Sequence, residues 1–269
     1  MKLFSLEQKN KPTYCNKDQH FLFTIRDYLL DNNVPYDPAA FTALREREAG
    51  KKFTLREHIK ALVYSQMSAQ TQWSRIVPHL NQVDKLFRDY DPEFIKSMSG
   101  EYFAEKIFDI HCGSRCTKSQ MKVLAENVAM LEHLDKKFGG IDRFVTSAPA
   151  DVIVKKLSDT SSPYKLKWVG KALAYEYLRN VGIDCAKPDV HLCRFFGADR
   201  MGNGVNSPAS EEEVLKQIDK LSKESGLLRY EIDILLWEFC ASGMGEVCNA
   251  NPKCNKCPIS SKCRKGRML

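Results

Sequence analysis

Near its C-terminal end the chain places Cys248, Cys254, Cys257 and Cys263 in a C-x5-C-x2-C-x5-C run, four thiols within sixteen positions. Few features constrain a fold more, because four cysteines in one short loop ask for a metal around which the loop must wrap. Tetrahedral zinc and a [4Fe-4S] cluster both accept four cysteines. Zinc ribbons supply two separated CxxC knuckles, whereas this run has one CxxC with a long arm on either side. The spacing therefore favours an iron-sulfur cluster, with zinc as the alternative.

The remaining cysteines, Cys15, Cys112, Cys116, Cys185, Cys193 and Cys240, read as packing residues and free thiols. With 269 residues and 43% hydrophobic content, the chain can bury one large core or two smaller ones. No stretch reaches the length of a membrane span, and Met1 to Asn10 is too polar for a secretory signal. The expectation is an intracellular protein in a reducing compartment, cytoplasmic or nucleoid, or nuclear in a eukaryote. The formal charge of +7 is modest, but its distribution is informative. No acid follows Glu246, while Lys253, Lys256, Lys262, Arg264, Lys265 and Arg267 decorate the cysteine loop. That pattern suits phosphate contacts, with Lys256 inside the CxxC itself.

Helical periodicity runs through most of the chain. Thr54 and Glu57 form a capping box ahead of Ile59, Leu62, Val63 and Met67. Ile76, Leu80, Val83 and Phe87 share one face of an expected second helix. Thr117 and Gln120 are expected to open a helix that carries Leu124, Val128 and Leu131 and stops at Gly139-Gly140. Ser207-Pro208 ahead of three glutamates reads as another start, and a last helix through Ile232, Leu235, Leu236 and Phe239 leads into the cysteine loop. No alternating strands stand out, so the fold class is all-α.

Between these helices, Leu166 to Ala174 and Tyr177 to Gly182 read as two short helices joined by a tight turn at Val169-Gly170. A glycine there lets the backbone approach a ligand, and a helix start presents unpaired amides, a generic phosphate seat. Lys165, Lys167 and Lys171 surround it. Beyond lies Lys187-Pro188-Asp189-Val190-His191-Leu192-Cys193-Arg194, with Asp189 at an expected helix start.

The order of these elements, Ser68-Ala69-Gln70-Thr71, then the hairpin, then D-x-H-x-x-R, then four cysteines, resembles the HhH-GPD superfamily of DNA base-excision glycosylases and its endonuclease III branch. The resemblance runs from about Phe53 to Cys263. It implies two helical domains flanking a DNA-binding cleft: a six-helix barrel over 53–183 that ends in the helix-hairpin-helix, and an iron-sulfur cluster domain built from 1–52 and 184–269. It implies double-stranded DNA with a damaged base as partner, bound by a monomer. Asp189 matches the catalytic carboxylate, Gln70 the residue that fills the gap left by an extruded nucleotide, and Trp168, Val169, Gly170 and Lys171 the DNA-contacting hairpin. Gln66, Gln72 and Trp73 are candidates to line the base pocket.

Departures from the pattern shape the expected activity. Ala172 stands where bifunctional relatives carry a Schiff-base lysine, so the resemblance implies a glycosylase without lyase activity. Lys171 is adjacent, but one position along a helix turns a side chain by about 100°. Ser65 stands where adenine glycosylases acting opposite 8-oxoguanine carry a glutamate, which disfavours that substrate. Trp168 and Lys167 replace the usual glycine and proline of the turn, and the first cysteine arm is one residue short. Ala174 to Gly182 also looks like archaeal-type 8-oxoguanine glycosylases. An alkylated, deaminated or oxidised base all fit, and the alternative is a protein of this fold that binds lesions without excising them.

Overall fold

A computed structural model describes residues 20–34, 41–71 and 73–268. Cys15 and Gln72 lie outside the described residues. Among those residues there is no strand, and the fold is all-α, as the periodicity predicts. None of the described helices is long and apolar enough to cross a membrane.

The chain divides into two compact units, one of residues 37–187 and one of 1–36 with 188–269. The second unit opens with α1 (Phe21–Asp31). The first unit then runs through α2 (Thr42–Glu48), α3 (Leu55–Met67), α4 (Trp73–Ile76), α5 (Leu80–Leu86), α6 (Pro92–Ser97) and α7 (Gly100–Asp109). It continues with α8 (Thr117–Lys122), α9 (Leu124–Phe138), α10 (Ile141–Val145), α11 (Ala150–Ser158) and α12 (Lys171–Asn180). The chain closes the other unit with α13 (Val190–Phe195), α14 (Glu211–Ser225) and α15 (Arg229–Cys240).

In the 37–187 unit α3 is the central element and packs on α12, α9, α10 and α8. Its start is the expected capping box, with the Thr54 hydroxyl accepting from the Glu57 amide and the Glu57 carboxylate accepting from Thr54. Ile59, Leu62 and Val63 are fully buried, each such side chain contributing roughly 1.5–3 kcal/mol. Because α3 has neighbours all round, it also buries His58, which the fold must satisfy. The His58 ring bonds to the Tyr177 hydroxyl at 2.6 Å and faces Asp142 at 3.4 Å. Arg47 of α2 closes the chain of contacts, pairing with Asp142 and donating to the Val181 carbonyl at 2.8 Å. At Gly182 the backbone is left-handed, and a Cβ would lie 2.2 Å from the Ala43 carbonyl oxygen.

Three expected helix boundaries shift. The helix over 76–87 is broken by a 3-10 turn at Val77–His79, where Pro78 cannot donate an amide. The helix expected from Thr117 is interrupted at Val123, and its capping box does not form, because the Thr117 hydroxyl accepts from the Ser114 amide instead. The stop at Gly139 holds, with left-handed backbone there. Ser207-Pro208 does not cap α14: Ser210 does, in a capping box with Glu213, while the Ser207 hydroxyl is taken by Asp199.

In the other unit α15 is the central helix, packed by α1, α13 and α14. Phe239 meets Tyr28 and Phe195 edge-on at 6.1 and 6.4 Å. The cysteine loop hangs from the end of this helix, with the amides of Val247 and Cys248 both bonding to the Phe239 carbonyl.

Candidate catalytic and DNA-binding site

Residues 159–170 form turns, so the first of the two short helices expected in the hairpin is absent, and the second is α12. The turn is nonetheless tightly fixed. Leu166 and Val169 are fully buried and act as plugs, while Lys167, Trp168 and Gly170 face outward. Asn127 of α9, itself buried, holds Lys167 from both sides: its amide nitrogen donates to the Lys167 carbonyl at 2.9 Å and its oxygen accepts from the Lys167 amide at 2.7 Å. The half-buried Lys165 ammonium donates to the Leu166 and Val169 carbonyls, and burial lowers its pKa. Lys167 itself pairs with Glu126.

Within this frame Trp168 adopts φ +57° and leaves its indole 55% exposed. The left-handed geometry that a glycine would take for free is kept by a bulky residue, held there by its clamped neighbours. Gly170 is N-cap of α12 with φ −86°, a value any residue adopts, and a Cβ there would meet nothing within 4 Å. Among the described residues no atom requires a glycine at 170, and the missing side chain leaves the backbone open to close approach from outside. Lys171 and Ala172 are exposed in the first turn of α12.

Gln70 occupies the turn after α3, exposed and left-handed at φ +58°. Trp73 is half-buried, with its ring edge-on to Tyr64 at 5.8 Å. Tyr64 in turn donates to Asp84 at 2.7 Å, an acceptor shared with Tyr90 and Lys60, and burial with that carboxylate raises the Tyr64 pKa. Gln66 is completely buried near the end of α3, and neither end of its amide has a hydrogen-bond partner among the described residues.

Asp189 lies in the 188–269 part, half-buried as N-cap of α13. One carboxylate oxygen, Oδ1, accepts from the amides of His191 at 2.8 Å and Leu192 at 3.2 Å. Oδ2 has no hydrogen bond among the described residues, so the cap fixes the carboxylate through one oxygen alone.

All four loop cysteines line one small pocket, partly open to solvent, together with Arg200 and Lys265. Among the described residues no three His, Cys, Asp or Glu side chains converge as a single-ion site does. Arg200, which stands in no motif or periodic pattern, is buried and organises the loop: Nη1 donates to the Cys248 carbonyl and sulfur, both at 3.3 Å, and to the Asn249 carbonyl at 2.9 Å. The hydrogen bond with Cys240 lowers the pKa of the Cys248 thiol against burial, and the Arg200 guanidinium adds to this. Burial pushes the Cys257 thiol up to about 11. The donor set, four thiols around one hollow beside a fixed cation, is of the kind that a thiolate-bound metal centre uses. Of the surrounding bases, Lys253 pairs with Glu246 and Lys265 reaches Asp199 at 3.9 Å, while Lys256 is exposed with no ion pair among the described residues.

Solved structures share this arrangement of helices. The Methanocaldococcus jannaschii 8-oxoguanine glycosylase/lyase in complex with a 15mer DNA containing 8-oxoguanine aligns with a TM-score of 0.55 and 20% identity, over 83% of this chain and 97% of that one. A trapped endonuclease III-DNA covalent intermediate aligns with a TM-score of 0.56 and 17% identity, over 94% and 98%. The fold is that of the endonuclease III and Ogg-type glycosylases. In sequence, 89 residues are 37% identical to the 8-oxoguanine DNA glycosylase/AP lyase of Aquifex aeolicus (strain VF5), 32% of this chain and 39% of that protein. The match thus spans well under half of the curated relative, and no family model matches. An endonuclease III fold was the expectation from the motif order, and the departures at Trp168 and the shortened cysteine arm coexist with it.

Proposed function

We propose that this chain is a base-excision glycosylase that hydrolyses the N-glycosidic bond of a damaged base in duplex DNA, with Asp189 as its catalytic carboxylate. The observation that carries this reading is the half-capped state of Asp189: Oδ1 is spent on two helix amides and Oδ2 is left over. Breaking the bond between C1′ and the base nitrogen builds positive charge on the sugar. A fixed carboxylate oxygen stabilises that charge and takes the proton of the attacking water as the new C1′–O bond forms. The hairpin turn and α12 supply outward amides and the open face at Gly170 for a phosphate. Gln70, exposed and left-handed, fills the space that the extruded nucleotide leaves. The expected barrel over 53–183 and cluster domain from 1–52 with 184–269 belong to the same proposal.

The substrate favoured is an oxidised purine, because the relative that matches at 37% identity is an 8-oxoguanine enzyme. That relative and the M. jannaschii protein are glycosylase/lyases. This chain has only a methyl group at Ala172, so no imine forms from that position and the activity is hydrolytic. Cys248, Cys254, Cys257 and Cys263 would hold a [4Fe-4S] cluster, which supplies a rigid template for the basic loop carrying Lys256. A DNA repair role places the protein inside the cell.

The test uses duplex oligonucleotides with single oxidised, alkylated or deaminated bases, incubated with the protein and with Asp189→Asn, then analysed with and without alkali and with borohydride. Asparagine caps a helix as well as aspartate does, so the variant keeps α13 intact while losing the charge. Alkali-dependent breaks that drop at least about 100-fold in the variant, with no borohydride-trapped adduct, are expected. Base release unchanged by Asp189→Asn rejects the mechanism. Binding without release across the panel points to the lesion-binding alternative.

A further inference from the structure

Among the described residues, every buried or half-buried polar side chain of α3 finds a partner save one. His58 bonds to Tyr177 at 2.6 Å, and the Ser65 hydroxyl donates to the Leu62 carbonyl at 2.8 Å. Just beyond the helix, the Ser68 hydroxyl donates to the Ser65 carbonyl at 2.8 Å. Gln66 is as buried as these, yet among the described residues its Nε2 and Oε1 both lack a hydrogen-bond partner, and five residues on the buried hydroxyl oxygen of Thr71 lacks one as well. Between them sits Gln70 with its left-handed backbone. Three departures from low-energy structure fall within six residues. A buried amide without partners destabilises the folded chain, and an apolar side chain of the same length would not, so the amide has a use outside folding.

Building on the proposed function, we infer that Gln66 reads the edge of the extruded base: its amide oxygen accepts the N7–H of 8-oxoguanine, its amide nitrogen donates to O6, and the Thr71 hydroxyl is a second contact. The turn that carries Gln70 gives way as DNA binds and uncovers the amide. The chemistry discriminates on its own. Guanine presents two acceptors, N7 and O6, along that edge, so one end of the amide would face a like group. Oxidation at C8 places a hydrogen on N7 and turns the edge into a donor beside an acceptor. Adenine also offers a donor and an acceptor, in the reverse order, which makes it the informative control.

The experiment measures binding to duplexes whose target nucleotide carries a 2′-fluoro group that blocks cleavage, with 8-oxoguanine, guanine or adenine as the base, alongside a tetrahydrofuran abasic analogue. Thermal unfolding of the unliganded protein is followed in parallel. The wild-type chain is expected to prefer 8-oxoguanine over guanine by roughly tenfold or more. Gln66→Met should bring that preference to within about threefold while leaving the melting midpoint unchanged or raised. Thr71→Val, a smaller change, should weaken lesion binding with the fold intact. A Gln66→Met protein that melts well below wild type yet keeps its preference overturns the inference, as does a wild-type preference for adenine. Tight binding of the abasic analogue without any preference for 8-oxoguanine overturns the Gln66 inference and leaves the glycosylase reading standing. Preference for neither over undamaged DNA overturns both.

Discussion

At the scale of single residues, the candidate site is marked by positions that are poor choices for stability. Gln70 and Trp168 both hold left-handed backbone without being glycine, at φ +58° and +57°. Since the Gln70 side chain is exposed, Gln70→Gly removes the strain and little else. It should stabilise the chain by about 0.5–1 kcal/mol, read as a higher urea midpoint, and weaken binding to DNA with an extruded base. Trp168→Ala should leave the salt dependence of DNA binding unchanged, since no charge is removed, while lowering affinity several-fold in a fluorescence titration. A steeper or shallower salt slope would show that the indole acts on the lysines around it instead of on DNA. Sequence reading found both positions from motif order. It could not find that Gln66 is unpaired, because partner satisfaction is a property of packing. Nor could it find Asn127, although a lone amide beside Leu124 and Val128 on one helical stripe was a usable signal.

At the scale of elements, two polar devices hold the helices that carry the site. The Asn127 clamp fixes the hairpin turn through two backbone bonds, and Asn127→Ala leaves the Lys167 amide without that partner. The expected loss is about 1–3 kcal/mol in a denaturation experiment, with a larger proportional fall in DNA affinity than in stability. The second device is the set of contacts joining Arg47, Asp142, His58 and Tyr177 across α2, α10, α3 and α12. Burial holds the His58 pKa below its ordinary 6.5. For Asp142 burial acts upward, but the hydrogen bonds from His58 and Arg47 outweigh it and its pKa is lowered. In both cases the unfolded chain binds protons more readily than the folded one, so the stabilisation is complete above each unfolded pKa and is lost as pH falls. The urea midpoint should decline on acidification from pH 7, first through His58 as pH passes below about 6.5 and then through Asp142 in the carboxylate range. His58→Phe should flatten the first segment; an unchanged profile would assign it to another group. Helix existence was legible from apolar spacing, as at Ile59, Leu62 and Val63. Boundaries were less so: Pro78, Val123 and the rival acceptors around Ser207 decide them through local hydrogen bonds that a pattern of apolar residues does not encode.

At the scale of the whole molecule, one short cysteine run announced a separate structural unit, and the order of motifs announced the fold. Arg200, which ties the loop to the rest of its unit, was silent in the sequence because an arginine bonded to carbonyls and a sulfur leaves no periodic trace. If the four cysteines hold the proposed cluster, its removal should therefore loosen the loop without unfolding the 37–187 unit. Cys257→Ser protein is expected to lose bound iron and acid-labile sulfide and to gain proteolytic cleavage within 248–263, while the α3 and α12 amides keep their hydrogen-exchange protection. Loss of protection in those helices would mean that the metal supports the whole chain. Gly170 offers another way to ask what the molecule was shaped against. Its extended backbone, at φ −86° and ψ 177°, suits amino acids of every kind, and no described atom lies within 4 Å of where a Cβ would sit. A library randomised at position 170 should thus express and fold almost uniformly, and whatever residues survive a screen for DNA repair would trace the outline of the absent partner, a mould taken of the ligand through tolerance alone.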